Sequence, residues 1–203
     1  MTDDDWPWGR FGDRSAGEIE LKKGGLDDPD RWAFKNPFVR IRNDDVVFPD
    51  GSSGEYVSLH VASMEKIGGV AILPIFQGKL VLCENYRHAP RDWRIEIPRG
   101  FVDAGEHPEQ SARRELEEEY GITPGEISYL GTMNPDTGYC AFEVACFWCT
   151  LANIPEYVGE NFKKPPIVYS VDEALNAMRM DRIRDSFFAF SLLAAIASGV
   201  IHA

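Results

Sequence analysis

From Phe38 onward, apolar and polar residues alternate in short runs separated by turn residues, the two-residue period of β-strands. FVRIRN and VVF lead to a Pro49-Asp50-Gly51 turn, and EYVSLHVAS follows, which predicts a small antiparallel sheet. A second set comes next: GGVAILPIF, a Gln77-Gly78 turn, KLVLCENYR and WRIEIP. The unbroken apolar stretch from Val70 to Phe76 suits a strand buried on both faces. A charged, helix-forming segment then precedes ISYLGTMN, a Pro135-Asp136-Thr137-Gly138 turn and the apolar strand Ala141 to Leu151. Ala152 to Pro166 is polar and proline-flanked, the pattern of a mobile loop. IVYS reads as a last strand, and helices are expected near Val171 to Arg179, capped by Ser170 or Asp172, and near Arg184 to Ser198.

Strands flanked by helices without a regular βα repeat indicate a mixed α/β (α+β) fold, a sandwich rather than a doubly wound sheet. Residues 1–34 show no period and read as an irregular arm, residues 35–66 as the N-terminal antiparallel strands, and residues 67–203 as the main domain.

Charge and composition narrow the function. The 203 residues carry 21 basic and 33 acidic side chains, a net charge of −12, which argues against non-specific binding to nucleic acid or to an anionic membrane. Hydrophobic residues make up 44% of the chain, ample for a core. The uncharged run SFFAFSLLAAIASGVI is shorter than the roughly 20 residues that cross a bilayer, so it is expected to be a buried helix. The start Met-Thr-Asp-Asp-Asp has none of the basic and apolar regions of a signal peptide, and a cytoplasmic location is expected. Cys146 and Cys149 resemble a redox or zinc pair, but three residues apart on a strand they face opposite ways and read as core.

The candidate chemistry sits in GFVDAGEHPEQSARRELEEEYGI, residues 100–122. Glu115, Glu118 and Glu119 stand at i, i+3 and i+4, which on a helix places them within one sector of roughly 100°. A plain solvated face, with Arg113 and Arg114 pairing with glutamates one turn later, explains this poorly. Three consecutive glutamates before Gly121, the expected end of the helix, face the negative end of the helix dipole and repel one another. A bound hard cation would offset both effects.

Gly100, Glu106, Arg114, Glu115, Leu116, Glu118, Glu119, Gly121 and Ile122 satisfy all nine defined positions of G-x5-E-x7-R-E-U-x-E-E-x-G-U, with U aliphatic. The chain therefore resembles the Nudix hydrolases. Around this box it is similar to the ADP-ribose pyrophosphatase branch, in Pro37-Phe38, Asp45, Pro49-Asp50-Gly51, Asn85-Tyr86-Arg87, Glu96-Ile97-Pro98-Arg99-Gly100, Pro135-Asp136-Thr137-Gly138 and Ile183-Arg184-Asp185-Ser186. Arg99 departs from the alanine frequent in that family.

The resemblance implies metal ligation by the Glu115 and Glu119 carboxylates, by the main-chain carbonyl of Arg99, and by Glu118 as a further ligand. It implies that Arg114 orients the glutamates, that Arg87 contacts substrate phosphate or ribose, and that Glu96 hydrogen-bonds the box loop. Arg87 reads equally well as a surface arginine at a strand end, and Glu96 as an ordinary strand carboxylate. Gly100 and Gly105 would permit tight turns of the loop.

Magnesium or manganese, both oxygen-seeking, would polarise a phosphoryl group and help water attack a P–O–P linkage. The implied reaction converts a nucleoside diphosphate sugar, ADP-ribose first, to a nucleoside monophosphate and a sugar phosphate. GDP-mannose, other such sugars and dinucleotides are alternative substrates, and a non-catalytic nucleotide-sugar-binding module or a diphosphate isomerase is an alternative role. Glu160, then Glu156, on the polar loop are the candidate general bases, with Glu118 as the other choice. The resemblance also implies a homodimer.

Overall fold

The computed structural model describes residues 19–22, 32–155 and 163–202, in two units divided between Leu59 and His60. In the first unit, β1 (Glu20–Leu21), β2 (Trp32–Lys35) and β3 (Val39–Val47) form an antiparallel sheet in the order β1-β3-β2, and β4 (Ser53–Val61) also pairs with β3. FVRIRN and VVF are thus one strand. Burial keeps its two-residue period straight through Arg42 and Asp44, so polar residues occupy inward positions that a reading by hydropathy interrupts. Arg42 is accommodated there by the face of Trp32, 4.4 Å from its guanidinium carbon.

The second unit is built on a seven-stranded mixed sheet. It comprises β5 (Ile67–Phe76), β6 (Lys79–Arg87), β7 (Asp92–Glu96), β8 (Arg99–Phe101), β9 (Ile127–Met133), β10 (Glu143–Thr150) and β11 (Lys163–Tyr169). The main path runs β11-β6-β5-β10-β9, with β7 on β6 and β8 on β5, and β5 and β10 are parallel. Gln77 and Gly78, both at positive φ, make the β5–β6 turn.

Helix α1 (Pro108–Tyr120) covers one face of this sheet, and α2 (Val171–Arg179) and α3 (Ser186–Ala197) cover the other. Val70 and Ile72 of β5 join the α1 side, whereas Ala71, Leu73 and Ile75 join the α2–α3 side. Both faces of the strand are dry, as its unbroken apolar run predicts. Cys146 faces α3 and Cys149 faces α1, and all four cysteines are buried free thiols. The C-terminal apolar run is α3, with Phe188, Leu192 and Ala195 fully buried; among the described residues no helix is long and apolar enough to cross a membrane.

The expected loop from Ala152 to Pro166 ends earlier than its composition suggests. Lys163 and Lys164 already pair with Asn85 and Glu84 of β6, and the ladder shifts register across Pro165-Pro166. Prolines lack the N–H a ladder needs, so the strand tolerates them where pairing is broken. Ser170 rather than Asp172 caps α2, in a reciprocal capping box with Glu173.

Candidate active site

The box folds as strand, turn, helix and turn. Gly105 turns the chain at φ 79°, and His107 caps α1 by accepting from the Glu109 N–H while the Gln110 side chain accepts from the His107 N–H. Pro108 occupies the first turn, where its missing donor costs nothing. Gly121, at φ 62° and ψ 24°, closes the other end with its N–H on the Glu117 carbonyl. Ala112, Leu116 and Tyr120 face the sheet, so Glu115 and Glu119 flank the apolar stripe and Glu118 lies further round the helix toward solvent.

Arg114 organises this acidic group. Its Nη1 donates to Glu115 Oε1 at 2.8 Å and to Glu118 Oε2 at 3.2 Å, and its Nη2 donates to Glu106 Oε2 at 3.2 Å and to the Phe101 carbonyl at 3.0 Å. Burial works against the Arg114 charge, but its bonds to Glu106 and Glu115 outweigh that and raise its pKa. Ser111 donates to Glu106 at 2.6 Å, and this bond, with Arg114, lowers the Glu106 pKa. Arg113 instead pairs one turn back with Glu109, at 3.0 Å.

Glu115 lies directly against the backbone of β8. A Cβ built on Gly100 would stand 1.9 Å from Glu115 Oε1, so the carboxylate occupies the space where any other residue would have a side chain. Burial raises the Glu115 pKa, Arg114 opposes the rise, and the neighbouring charges of Glu119 and Glu118 add to it. This donor set suits a hard divalent cation: carboxylate oxygens only, beside a strand that can offer main-chain carbonyls. Among the described residues no three acidic, histidine or cysteine side chains yet converge tightly enough to enclose an ion. Arg114 draws Glu115 and Glu118 toward itself instead.

A second polar centre surrounds Glu96, only 3% exposed. It accepts from Arg87 Nε at 2.8 Å, from Asn85 Nδ2 at 3.3 Å and from Arg99 Nη2 at 2.8 Å. Arg99 also donates to Asp185 Oδ1 at 2.8 Å and rests on the Phe187 ring, 4.6 Å from its centroid. Asp185 caps α3 by accepting from the Phe188 N–H. Burial raises the Asp185 pKa, and Arg99 works against the rise.

Between the two centres opens a cleft of about 350 Å³. Gly68, Gly69 and Gly100 line it with bare backbone, Phe101, Phe142 and Phe187 with apolar surface, and Arg87, Arg99 and Glu119 with charge. It combines apolar walls with a few convergent polar groups, the usual make-up of a small-molecule site.

The model of the NUDIX domain matches residues 66–187. The chain belongs to the Nudix hydrolase family. Among curated relatives it is 29% identical over 167 residues to the methanol dehydrogenase activator of Bacillus methanolicus, covering 75% of this chain and 82% of the relative. It is 28% identical over 107 residues to the ADP-ribose pyrophosphatase of Bacillus subtilis (strain 168), covering 52% of this chain and 55% of that one. Of the B. subtilis protein the chain thus spans about half the length. Among solved structures it is similar in fold to an ADP compounds hydrolase, with a TM-score of 0.65, 16% identity and coverage of 89% of this chain and 91% of the other.

The residues singled out by sequence fall into three groups. Glu115, Glu118 and Arg114 meet at the helix, with Glu119 beside them on the cleft wall and Gly100 beneath Glu115. Arg87 and Glu96 form the second centre, where Glu96 reaches the approach to the box through the Arg99 side chain. Glu156 and Glu160 lie outside the described residues. The sequence pattern gives no sign of the part played by the Arg99 side chain, whose carbonyl alone the resemblance implicates, or by Asp185 and Phe187 as its partners. Asp185 stood in a recognised motif, and its place before an apolar helix was the available sign of a cap.

Proposed function

We propose that this Nudix hydrolase cleaves the diphosphate linkage of a nucleoside diphosphate sugar with the help of magnesium or manganese, ADP-ribose to AMP and ribose 5-phosphate being the leading case. The observation that carries the reading is the Glu115 carboxylate seated against Gly100, a residue that lines the cleft together with Glu119, Arg87 and Arg99. The name of the B. subtilis relative favours ADP-ribose; an alternative nucleoside diphosphate sugar or dinucleotide would use the same chemistry.

In this reading the carboxylates of Glu115 and Glu119, with Glu118 and the main-chain carbonyl of Arg99, would hold the cation. Bound there, it supplies Lewis-acid polarisation of a phosphoryl group and acidifies water. Arg114 holds Glu115 and Glu118 in place and offsets their repulsion. Arg87, steadied by Glu96, binds substrate phosphate or ribose, and the three phenylalanines keep bulk water from the reacting bond. Proton acceptance from water falls to Glu160 or Glu156, with Glu118 as the alternative; a carboxylate next to a cation has a depressed pKa and is the weaker base.

A panel of nucleoside diphosphate sugars with product identification tests the reading. Release of nucleoside monophosphate should stop in excess chelator and return with magnesium or manganese. Glu119→Gln and Glu160→Gln should each lower kcat by about a hundredfold. Undiminished turnover in chelator would reject the metal role, and near-normal kcat in both Glu156→Gln and Glu160→Gln would move the base to Glu118. The resemblance to the ADP-ribose pyrophosphatase branch favours a homodimer, and a fully active monomer by light scattering on the same preparation would reject it.

A further inference from the structure

A second cavity, of about 330 Å³, adjoins the cleft, and Arg87 and Arg99 line both. Four guanidinium groups border it, those of Arg87, Arg94, Arg99 and Arg184, against two carboxylates, Glu96 and Asp185. Such a concentration of positive charge is unexpected in a chain with a net charge of −12.

Both carboxylates are already engaged. Glu96 is shared between Arg87 and Arg99, and Asp185 between Arg99 and the first turn of α3. Neither is left to balance Arg94 and Arg184. Those two meet instead at Asp92, which is half-exposed and does not border the cavity, at 3.3 Å and at a loose 3.9 Å. The Arg184–Asp92 pair, exposed on both sides and at 3.9 Å, contributes little and is readily exchanged for a better partner. The side chain of Arg184 is 57% exposed and therefore able to turn onto a ligand.

We propose that this second cavity is an anion subsite continuous with the cleft, and that it selects nucleoside diphosphate derivatives whose sugar half carries an additional phosphate or carboxylate. Arg99 forms the partition. Held by Glu96, Asp185 and the Phe187 ring, its guanidinium is fixed where the sugar of a cleft-bound substrate would pass into the second cavity. Arg94 and Arg184 then supply charge-assisted hydrogen bonds to the distal anion, and the planar guanidinium fork matches phosphate and carboxylate alike. The diphosphate itself belongs to the glutamate side of the cleft, so the anion recognised here is a further one. This inference rests on the hydrolase reading above and adds the substrate class to it.

The test is kinetic, on the full chain with magnesium. The kcat/KM is measured for two matched pairs, ADP-ribose with ADP-ribose 1″-phosphate and UDP-glucose with UDP-glucuronate. The anion-bearing member should be preferred by about tenfold or more in at least one pair, the value of one well-made bond to a charged group. In Arg184→Gln, and more so in Arg94→Gln combined with it, that ratio should fall toward one. A ratio near one in the unmodified protein would overturn the subsite while leaving the hydrolase reading intact. So would a variant that slows both members equally, since the arginines would then be serving the diphosphate. Inorganic phosphate that alters ADP-ribose turnover through Arg184, without any preference between paired substrates, would assign the cavity to free phosphate and overturn the substrate-borne reading. Failure to cleave any of the four compounds or the wider panel would overturn both.

Discussion

Gly100 is indispensable for what it lacks. Its backbone lies in extended β8, so the demand for glycine there comes from the Glu115 carboxylate, which fills the volume of a side chain. The obstruction is the end of a flexible side chain rather than backbone, so Gly100→Ala should displace the carboxylate and spare the fold. The expected outcome is a melting temperature within a few degrees of the unmodified protein and a loss of kcat of about tenfold to a hundredfold, as for misplacing a group at the reacting centre. Normal turnover in a folded Gly100→Ala protein would mean that Glu115 need not sit there. Gly105 is required for the opposite reason: nothing lies within 4 Å of its missing Cβ, but its φ of 79° strains any other residue. Both glycines were legible in the sequence, whereas the different demand on each depends on neighbours that only folding brings close.

At the scale of elements, α1 is a helix whose own charges weaken it. Its last turn holds Glu117, Glu118 and Glu119 and no basic residue, against the sign of the helix dipole. Arg114, one turn earlier, supplies the compensation, and burial of Ala112, Leu116 and Tyr120 against β5 and β10 supplies most of the remainder. The end of the helix then depends on Gly121, which adopts the left-handed conformation without the strain a Cβ would add. Gly121→Ala should lower stability by about 1 kcal/mol in denaturant titration, with an unchanged m-value. A neutral result would show that the last turn unwinds at little cost and that the glutamates are not held by it. The same reasoning explains β8. Three residues are too few to show a period, and this strand exists because the β5 backbone beside Gly69 and Val70 is open to pairing with Phe101 and Gly100.

Across the whole molecule, burial on both faces of one sheet places three thiols in dry surroundings. It pushes the Cys83 and Cys149 pKa values up to about 12 and that of Cys146 to about 11, and it raises Cys140 as well. The protonated thiol is therefore favoured in the folded state. In the unfolded chain the same groups lose their protons near 9.0, so their contribution to stability is intact below that pH and is lost as the pH climbs toward 11 to 12. Alkylation by iodoacetamide at pH 8 should be slow in the native protein and fast once denatured, with thermal stability declining above about pH 9. Rapid native labelling would contradict this packing. The sequence by itself determined the family and the mixed α/β class, because the box is a local pattern at helical spacing and the strands carry a period set by backbone geometry. It also determined that β5 is buried on both faces, since a run without alternation leaves no wet side. Only the tertiary structure decided that Arg99 joins Glu96 to Asp185 across 86 positions of chain, and that four arginines border a cavity beside the cleft. Those contacts follow from the pairing of β5, β6 and β7 and from the seat of α3, and residues so far apart in sequence have no periodicity through which to announce one another.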